Sequence, residues 1–315
     1  MIKIIFYNKR CKIKFFKLNK GIKFAVSNVI KKMIHIVECP RDAMQGLVDF
    51  IPTDVKVAYI NQLLRVGFQT LDVGSFVSAK AIPQMRDTVE VLSKLDMSDT
   101  STKLLAIVAN ERGAAEAADN QAITYLGYPF SVSETFQIRN TNATILESVE
   151  RVKRIQDICM RQSKELVLYI SMGFGNPYGD AWNAEVVMEW VRKLAAFDIK
   201  IFSLSDTVGV SNPQSIAYLF SNLIPAYPQL EFGAHLHTQP HNWREKVDAA
   251  YMQGCRRFDA AMKGFGGCPM AKDDLTGNMA TENLVSYFSE NNNMLNIDYQ
   301  QFIRALSLAN DVFPH

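Results

Sequence analysis

Two histidines one residue apart, His235 and His237, carry the sharpest local chemical signal in the chain. On a strand, residues i and i+2 face the same side, so both imidazoles aim one way. Neutral imidazole ligates metals, and the same ring moves protons near neutral pH. His-x-His taken alone equally fits two packed core or surface histidines. A carboxylate lies far off in Glu-Cys-Pro-Arg-Asp (38–42), at Asp42, with the guanidinium of Arg41 beside it. Asn278, in the pair Gly277-Asn278, is the candidate amide, although Asn beside Gly is also an ordinary turn. Two imidazoles, a carboxylate and an amide oxygen, with water filling the rest, suit Mg²⁺ or Mn²⁺ better than a structural Zn²⁺.

Groups so far apart meet only if the fold brings their strands together. Apolar, β-rich runs end in turn or charged residues at 34–38, 70–73, 104–108, 122–126, 166–171, 199–204, 231–236 and 256–260. Helix-period segments lie between them. One begins after Pro52, with Thr53 as its expected N-cap and Gly67 as its stop. Others cover 83–95, a short stretch in Glu-Arg-Gly-Ala-Ala-Glu-Ala-Ala-Asp-Asn (111–120), 143–161, 183–197, 212–223 and 242–253, with Asn183 and Asn212 placed as N-caps. Two further helices, 281–289 and 298–309, close the chain.

Eight strands alternating with helices predict an α/β fold, a (β/α)8 TIM barrel with extra C-terminal helices. An open doubly wound sheet would usually carry a glycine-rich turn after strand 1, where this chain has Glu38-Cys39-Pro40. The string Gly173-Phe-Gly-Asn-Pro-Tyr-Gly179 lacks the Lys and Ser/Thr of a phosphate loop and reads as a turn-rich loop. In a closed barrel strand 8 neighbours strand 1, so the carboxyl ends of strands 7, 8 and 1 can converge on one ion. At the same mouth strand 2 delivers Asp72, strand 6 delivers Asp206, and the loop after strand 8 delivers Cys268. The aromatic residues Phe130, Phe136 and Trp182 read as packing, and Arg256-Arg257 as a solvated or ion-paired feature.

The motifs Glu-Cys-Pro-Arg-Asp (38–42), Gly-Ser-Phe-Val-Ser-Ala-Lys-Ala-Ile-Pro-Gln-Met (74–85), Leu-Ser-Asp-Thr-Val-Gly (204–209), His-Leu-His (235–237), Gly-Phe-Gly-Gly-Cys-Pro-Met-Ala (264–271) and Gly-Asn-Met-Ala-Thr-Glu (277–282) occur in order over most of the chain. Together they resemble the hydroxymethylglutaryl-CoA lyase family. The resemblance implies that Asp42, His235, His237 and Asn278 bind a divalent cation, and that Arg41 stabilises an enolate oxygen. Asp72 and Asp206 would be polar active-site residues, and Cys268 would lie on a mobile loop that closes over the substrate. The implied reaction is retro-Claisen cleavage of an acyl-CoA, 3-hydroxy-3-methylglutaryl-CoA, to acetyl-CoA and acetoacetate. Cys268, with a thiol, and His235 are the candidate acids that protonate the product carbanion.

Four positions depart from the family pattern. Glu38 is separated from Pro40 by one residue rather than two, Val48 replaces a lysine associated with CoA, Thr238 replaces an Asp, and the loop from Cys268 to Asn278 is one residue longer, with Lys272-Asp273-Asp274. A Claisen-type synthase or a 4-hydroxy-2-oxo acid aldolase on the same barrel is the alternative enzyme. A catalytically silent barrel with a basic binding arm is the non-enzymatic one.

Composition bounds these readings. The hydrophobic share of 48% and charged share of 21% exclude disorder and coiled coils. No uncharged apolar run approaches the roughly 18 residues of a spanning helix. The five cysteines are scattered, with no Cys-x-x-Cys pair, which suits free thiols in a reducing, cytoplasmic setting. Residues 1–32 hold ten Lys or Arg and no Asp or Glu, while the other 283 residues carry 24 basic and 32 acidic side chains. The single lyase domain is therefore expected over 33–315, with 1–32 a basic extension that is not native and Met33 the true start. Small-molecule acyl-CoA, no nucleic acid, no membrane and a homodimer are the expected partners. A chain beginning at Met33 should fold and keep its activity; its failure to do so, or peptide mapping that finds residues 1–32 in the native protein, would overturn that start.

Overall fold

The computed structural model describes residues 33–267, 277–291, 293 and 295–313. The N-terminal extension, Cys268 and Lys272-Asp273-Asp274 lie outside the described residues.

All eight expected strands form: β1 (His35–Glu38), β2 (Thr70–Ser75), β3 (Lys103–Ile107), β4 (Ile123–Ser131), β5 (Glu165–Ser171), β6 (Ile201–Asp206), β7 (Glu231–Leu236) and β8 (Arg257–Ala260). They pair in parallel in chain order into a closed barrel. The seam is β1 on β8, with His35 opposite Arg257, Ile36 opposite Phe258, Val37 opposite Asp259 and Glu38 opposite Ala260. Several of the helices between the strands begin at a side-chain cap that satisfies their first backbone N–H groups. Asn183 accepts from Val186 N, and Asn212 from Ser215 N, as the sequence predicts. Thr144 and Glu147 form a reciprocal capping box on helix Ile145–Arg161. Among the described residues no helix is long and apolar enough to cross a membrane.

Alternation along the strands separates two apolar zones. Leu104, Ala106, Leu166, Leu168 and Ile170 join the large cluster between sheet and helices. Their neighbours Leu105, Ile107, Val167 and Tyr169, with Tyr125 and Ile201, form a second cluster on the other face, the bore. That cluster draws only on β3 to β6. The opposite side of the bore, from β6 round to β8, carries Ser203, His235, Arg257 and Asp259. The barrel is thus filled with apolar side chains on one side and with charges on the other.

Three local expectations change. Thr53 is the first residue of helix Thr53–Val66, not its cap; Pro52 stands at the cap, and Thr53 Oγ1 donates to Asp87 instead. The segment 83–95 is not one helix but a 3₁₀ turn, Pro83–Met85, followed by Thr88–Ser93. The buried ammonium of Lys56 draws the Gln84 carbonyl and the Asp87 carboxylate (2.7 Å) to itself, so Gln84 cannot continue a helical ladder. Two short helices, Pro40–Gln45 and Glu134–Thr141, were not expected, because about two helical turns are too few for a periodic pattern to stand out. The last helix, Tyr299–Val312, packs on Thr53–Val66, with Phe302 against Phe68 and Phe313 against Tyr59.

The end of β1 is tied to the start of the C-terminal region by Glu38. Met262 N donates to its Oε1 (2.9 Å), and Thr281 Oγ1 donates to Oε2. Glu38 is fully buried, and this burial pushes its carboxyl up to about 8 against the two hydrogen bonds. The fold therefore holds the Glu38 proton more tightly than the unfolded chain does. Its contribution to stability is full below about 4.5 and is lost as pH rises toward 8. Across that window the wild type should lose stability relative to Glu38→Gln, with a slope approaching roughly 1.4 kcal/mol per pH unit. Urea unfolding of both proteins at several pH values checks this; parallel stability curves would refute it.

Candidate metal centre and active site

Pro40 opens the short helix Pro40–Gln45 directly after β1, and this turn carries Arg41 and Asp42 over the barrel mouth. Cys39 N still donates to Ala260 O (2.8 Å), so the β1–β8 seam holds up to the turn itself. From β7 come His235, inside the strand, and His237, one residue past its end. Asn278 arrives by a route that spacing could not reveal. The chain returns antiparallel to the extension of β7, with Thr238 N donating to Gly277 O (2.9 Å) and Met279 N to Leu236 O (3.1 Å). His237 and Asn278 are bridge partners in this pairing.

Ligand atoms of Asp42, His235 and His237 all lie within 4.8 Å of one another. The Asn278 Nδ2 donates to Asp42 Oδ2 (2.7 Å) and to Phe265 O (2.9 Å), which places the amide at the edge of this cluster and holds its plane. Gly266 makes the approach possible. At φ +93°, a Cβ there would stand 2.6 Å from Asp42 O and 2.7 Å from Asn278 Nδ2. Two imidazole nitrogens and a carboxylate converging on one point, with an amide beside them, fit a divalent cation.

The electrostatics agree with that use. Burial disfavours charge on Asp42, but Arg41, His235, the Asn278 hydrogen bond and His237 together hold its pKa below the ordinary value. It remains a carboxylate. Burial, assisted by the neighbouring His235, pulls His237 down to about 4, so its imidazole is neutral and ready to bind. His235 behaves oppositely: burial lowers it, yet the Asp259 hydrogen bond and the charges of Asp259 and Asp42 outweigh burial and raise it.

Arg41 is locked rather than free. Its Nε donates to Asp72 Oδ1 (3.2 Å) and Oδ2 (3.0 Å), and Nη2 also binds Asp72. Nη1 donates to Asp42 Oδ1 (2.8 Å) and Gln45 Oε1 (2.8 Å). Burial opposes the charge, but the two carboxylates hold Arg41 well above its ordinary range, so it is a permanent cation. Asp72 thus stands as the partner that aims Arg41. Asp206 is not brought to the cluster: Lys246 donates to it (2.9 Å), as do Ser211 N (3.0 Å) and Ser211 Oγ. Lys246 also holds the His237 carbonyl (2.9 Å), so Asp206 supports the metal-side backbone through that lysine.

Arg41, Asp42, His235 and His237 line one cavity. Its opposite wall is apolar, from Val77, Ile82, Ile107, Ala109, Pro129 and Phe136, and its floor adds Tyr169, Ser171, Ser205 and Thr207. Phe136 therefore does line the cavity, where packing alone was expected; helix Glu134–Thr141, too short to show in the sequence, turns it there. Arg257 is ion-paired rather than solvated: it is fully buried, with Nη1 3.9 Å from Glu231 Oε2. Gln45, Ser203, Lys246 and Asp259 escaped the sequence reading. The alternation Arg257-Phe258-Asp259 in β8 was the one available signal for Asp259.

Metal binding should compete with protons chiefly at His235. Affinity for Mn²⁺ should fall as pH drops through a range beginning above 6.5, with about one proton released per ion, because His237 is already neutral. Calorimetric titration in buffers of different ionisation enthalpy measures this. Unchanged Mn²⁺ binding in His235→Ala and His237→Ala would remove the site.

The comparisons with known proteins agree with this architecture. Hydroxymethylglutaryl-CoA lyase YngG of Bacillus subtilis is 30% identical over 269 residues, 84% of this chain and 88% of that protein. Hydroxymethylglutaryl-CoA lyase of Pseudomonas mevalonii is 32% identical over 246 residues, 78% of this chain and 81% of the relative. A solved HMG-CoA lyase from Acinetobacter baumannii, in complex with coenzyme A and 3-methylmalate, superimposes with a TM-score of 0.82 at 30% identity, covering 89% of this chain and 91% of that one. The HMGL-like family model matches residues 33–309, and the chain belongs to the HMGL-like family.

Proposed function

We propose that this protein is a divalent-cation-dependent carbon–carbon lyase that cleaves 3-hydroxy-3-methylglutaryl-CoA to acetyl-CoA and acetoacetate. The observation that carries the reading is the convergence of Asp42, His235 and His237 beside a locked Arg41 in one cavity, in a chain about 30% identical to hydroxymethylglutaryl-CoA lyases over most of its length. Asp42, His235, His237 and Asn278 would hold Mg²⁺ or Mn²⁺. Bound there, the ion would acidify the substrate's tertiary hydroxyl and fix its position.

The chain's own groups do the rest. Loss of the C3 hydroxyl proton lets the C2–C3 pair move to C2 as the bond breaks, leaving a ketone and a thioester enolate. Arg41 places a permanent positive charge at the cavity wall where the enolate oxygen develops negative charge. Asp72 and Gln45 keep that guanidinium from turning away. His235, an expected proton carrier, has no lone pair left for that proton once one nitrogen holds the ion and the other is hydrogen-bonded to Asp259, so the hydroxyl proton leaves to water. Cys268, outside the described residues, is assigned the protonation of the enolate carbon. The apolar wall from Val77 to Phe136 accommodates the substrate's methyl side and excludes water from the enolate. Free, buried thiols at Cys39, Cys159 and Cys255 support a reducing, cytosolic compartment.

Purified protein with Mg²⁺ or Mn²⁺ should convert 3-hydroxy-3-methylglutaryl-CoA to acetyl-CoA and acetoacetate, followed by mass spectrometry. If 4-hydroxy-2-oxo acids were cleaved and the thioester were not, the aldolase alternative would hold. Arg41→Lys keeps the charge but loses the fork that Asp72, Asp42 and Gln45 grip. Turnover should fall by about 100-fold or more with Mn²⁺ content intact. A fall of no more than about twofold would rule out Arg41 as the enolate's partner.

A further inference from the structure

We infer that Asp259, on β8, is the positioning residue for His235: it accepts a hydrogen bond from Nδ1–H and so commits Nε2 to the cation. This deepens the metal-site reading proposed above and rests on it. His235 and Asp259 are register partners across β7 and β8. His235 Nδ1 lies 3.2 Å from Asp259 Oδ2, and Ser203 Oγ donates to the same oxygen (3.0 Å). Asp259 is 2% exposed; both of these contacts fall on Oδ2, while Oδ1 has no hydrogen-bond partner among the described residues.

An imidazole has two nitrogens, and only one with a free lone pair can bind a metal. A carboxylate at Nδ1 accepts a hydrogen bond and nothing else, so the neutral ring must carry its proton there and present Nε2. The Tyr169 ring, edge-on to His235 at 5.8 Å, limits rotation of the imidazole out of that orientation. Among the described residues no carboxylate is hydrogen-bonded to the His237 ring. Its place is held through its backbone, by Lys246 at the carbonyl and by the bridge to Asn278.

The strand beneath explains why a charge can stand at 259. Arg257, two residues earlier on β8, enters the same bore, and its positive charge acts on Asp259. Gly233, its register partner on β7, makes the room: a Cβ there would be 2.9 Å from Arg257 Cδ. Arg257, Asp259 and His235 thus form an ascending column that ends at the metal cluster, on the charged side of the barrel.

The test uses Mn²⁺ titration of the full-length wild type, Asp259→Ala and Asp259→Asn, by electron paramagnetic resonance of free Mn²⁺. Asp259→Ala should bind Mn²⁺ about 10- to 100-fold more weakly. Asp259→Asn keeps a carbonyl acceptor without the charge and should recover part of that loss. Nitrogen NMR of histidine-labelled, Mg²⁺-loaded wild type does not depend on an Asp259 variant folding: His235 should show the Nδ1–H tautomer, its signal assigned by its absence in His235→Gln. A wild-type Nε2–H tautomer, or Asp259→Ala binding Mn²⁺ within twofold of wild type, would overturn the inference. A wild type that binds no Mn²⁺ would instead overturn the metal site itself, and that result is recognisable because it appears before any variant is compared.

Discussion

The seam between β1 and β8 is the constraint on which the site depends. Four register pairs close the sheet there, and Cys39 N extends the ladder to Ala260 O. Without closure the carboxyl ends of β1 and β7 would lie on different edges of an open sheet. With it, Asp42 comes within ligand distance of histidines about two hundred residues later in the chain. Parallel strands also put every carboxyl end at one mouth, so a single closure event assembles Arg41, Asp42, Asp72 and the His pair together.

The mouth gathers charge that an ordinary core could not hold. Asp42, Asp72, Asp206 and Asp259 are all buried, and each has a stated partner: Arg41 for the first two, Lys246 for the third, Ser203 and His235 for the fourth. Breaking one member of such a buried pair typically costs about 3–5 kcal/mol, because a desolvated charge is left behind. That cost explains the division of the bore. The apolar cluster of β3 to β6 seals one side, which strengthens every interaction on the other by keeping water away. The arrangement favours a defined geometry over stability, since apolar side chains could fill the same volume without a desolvation penalty.

The segment after β8 links chemistry to architecture. Gly266 lets the backbone pass against Asp42, the bridge to His237 seats Asn278, and Glu38 grips Met262 and Thr281 on either side. Glu38 touches none of the cluster residues, yet it anchors both flanks of the stretch that delivers one of them. Its partners, Met262 N and Thr281 Oγ1 at the start of helix Thr281–Glu290, make Glu38 a clamp on that segment.

The sequence by itself determined the repeating pattern. Hydrophobic runs, caps such as Asn183 and Asn212, and turn residues are local, so all eight strands and most helices were legible, as were Arg41, Asp42, His235 and His237 at the strand ends. Periodicity failed where elements spanned only about two helical turns, at Pro40–Gln45 and Glu134–Thr141, and where a distant side chain intervened, as Lys56 does at Gln84. Only the tertiary structure decided which polar residues touch the cluster. Asp72 and Asp206 look alike in sequence, both at strand ends; one aims Arg41 and the other answers Lys246. Asp259 stood in a strand with no motif to mark it, and its place beside His235 follows from the β7–β8 register. Such contacts join residues far apart in the chain, and their partners are set by strand pairing and closure rather than by any local preference.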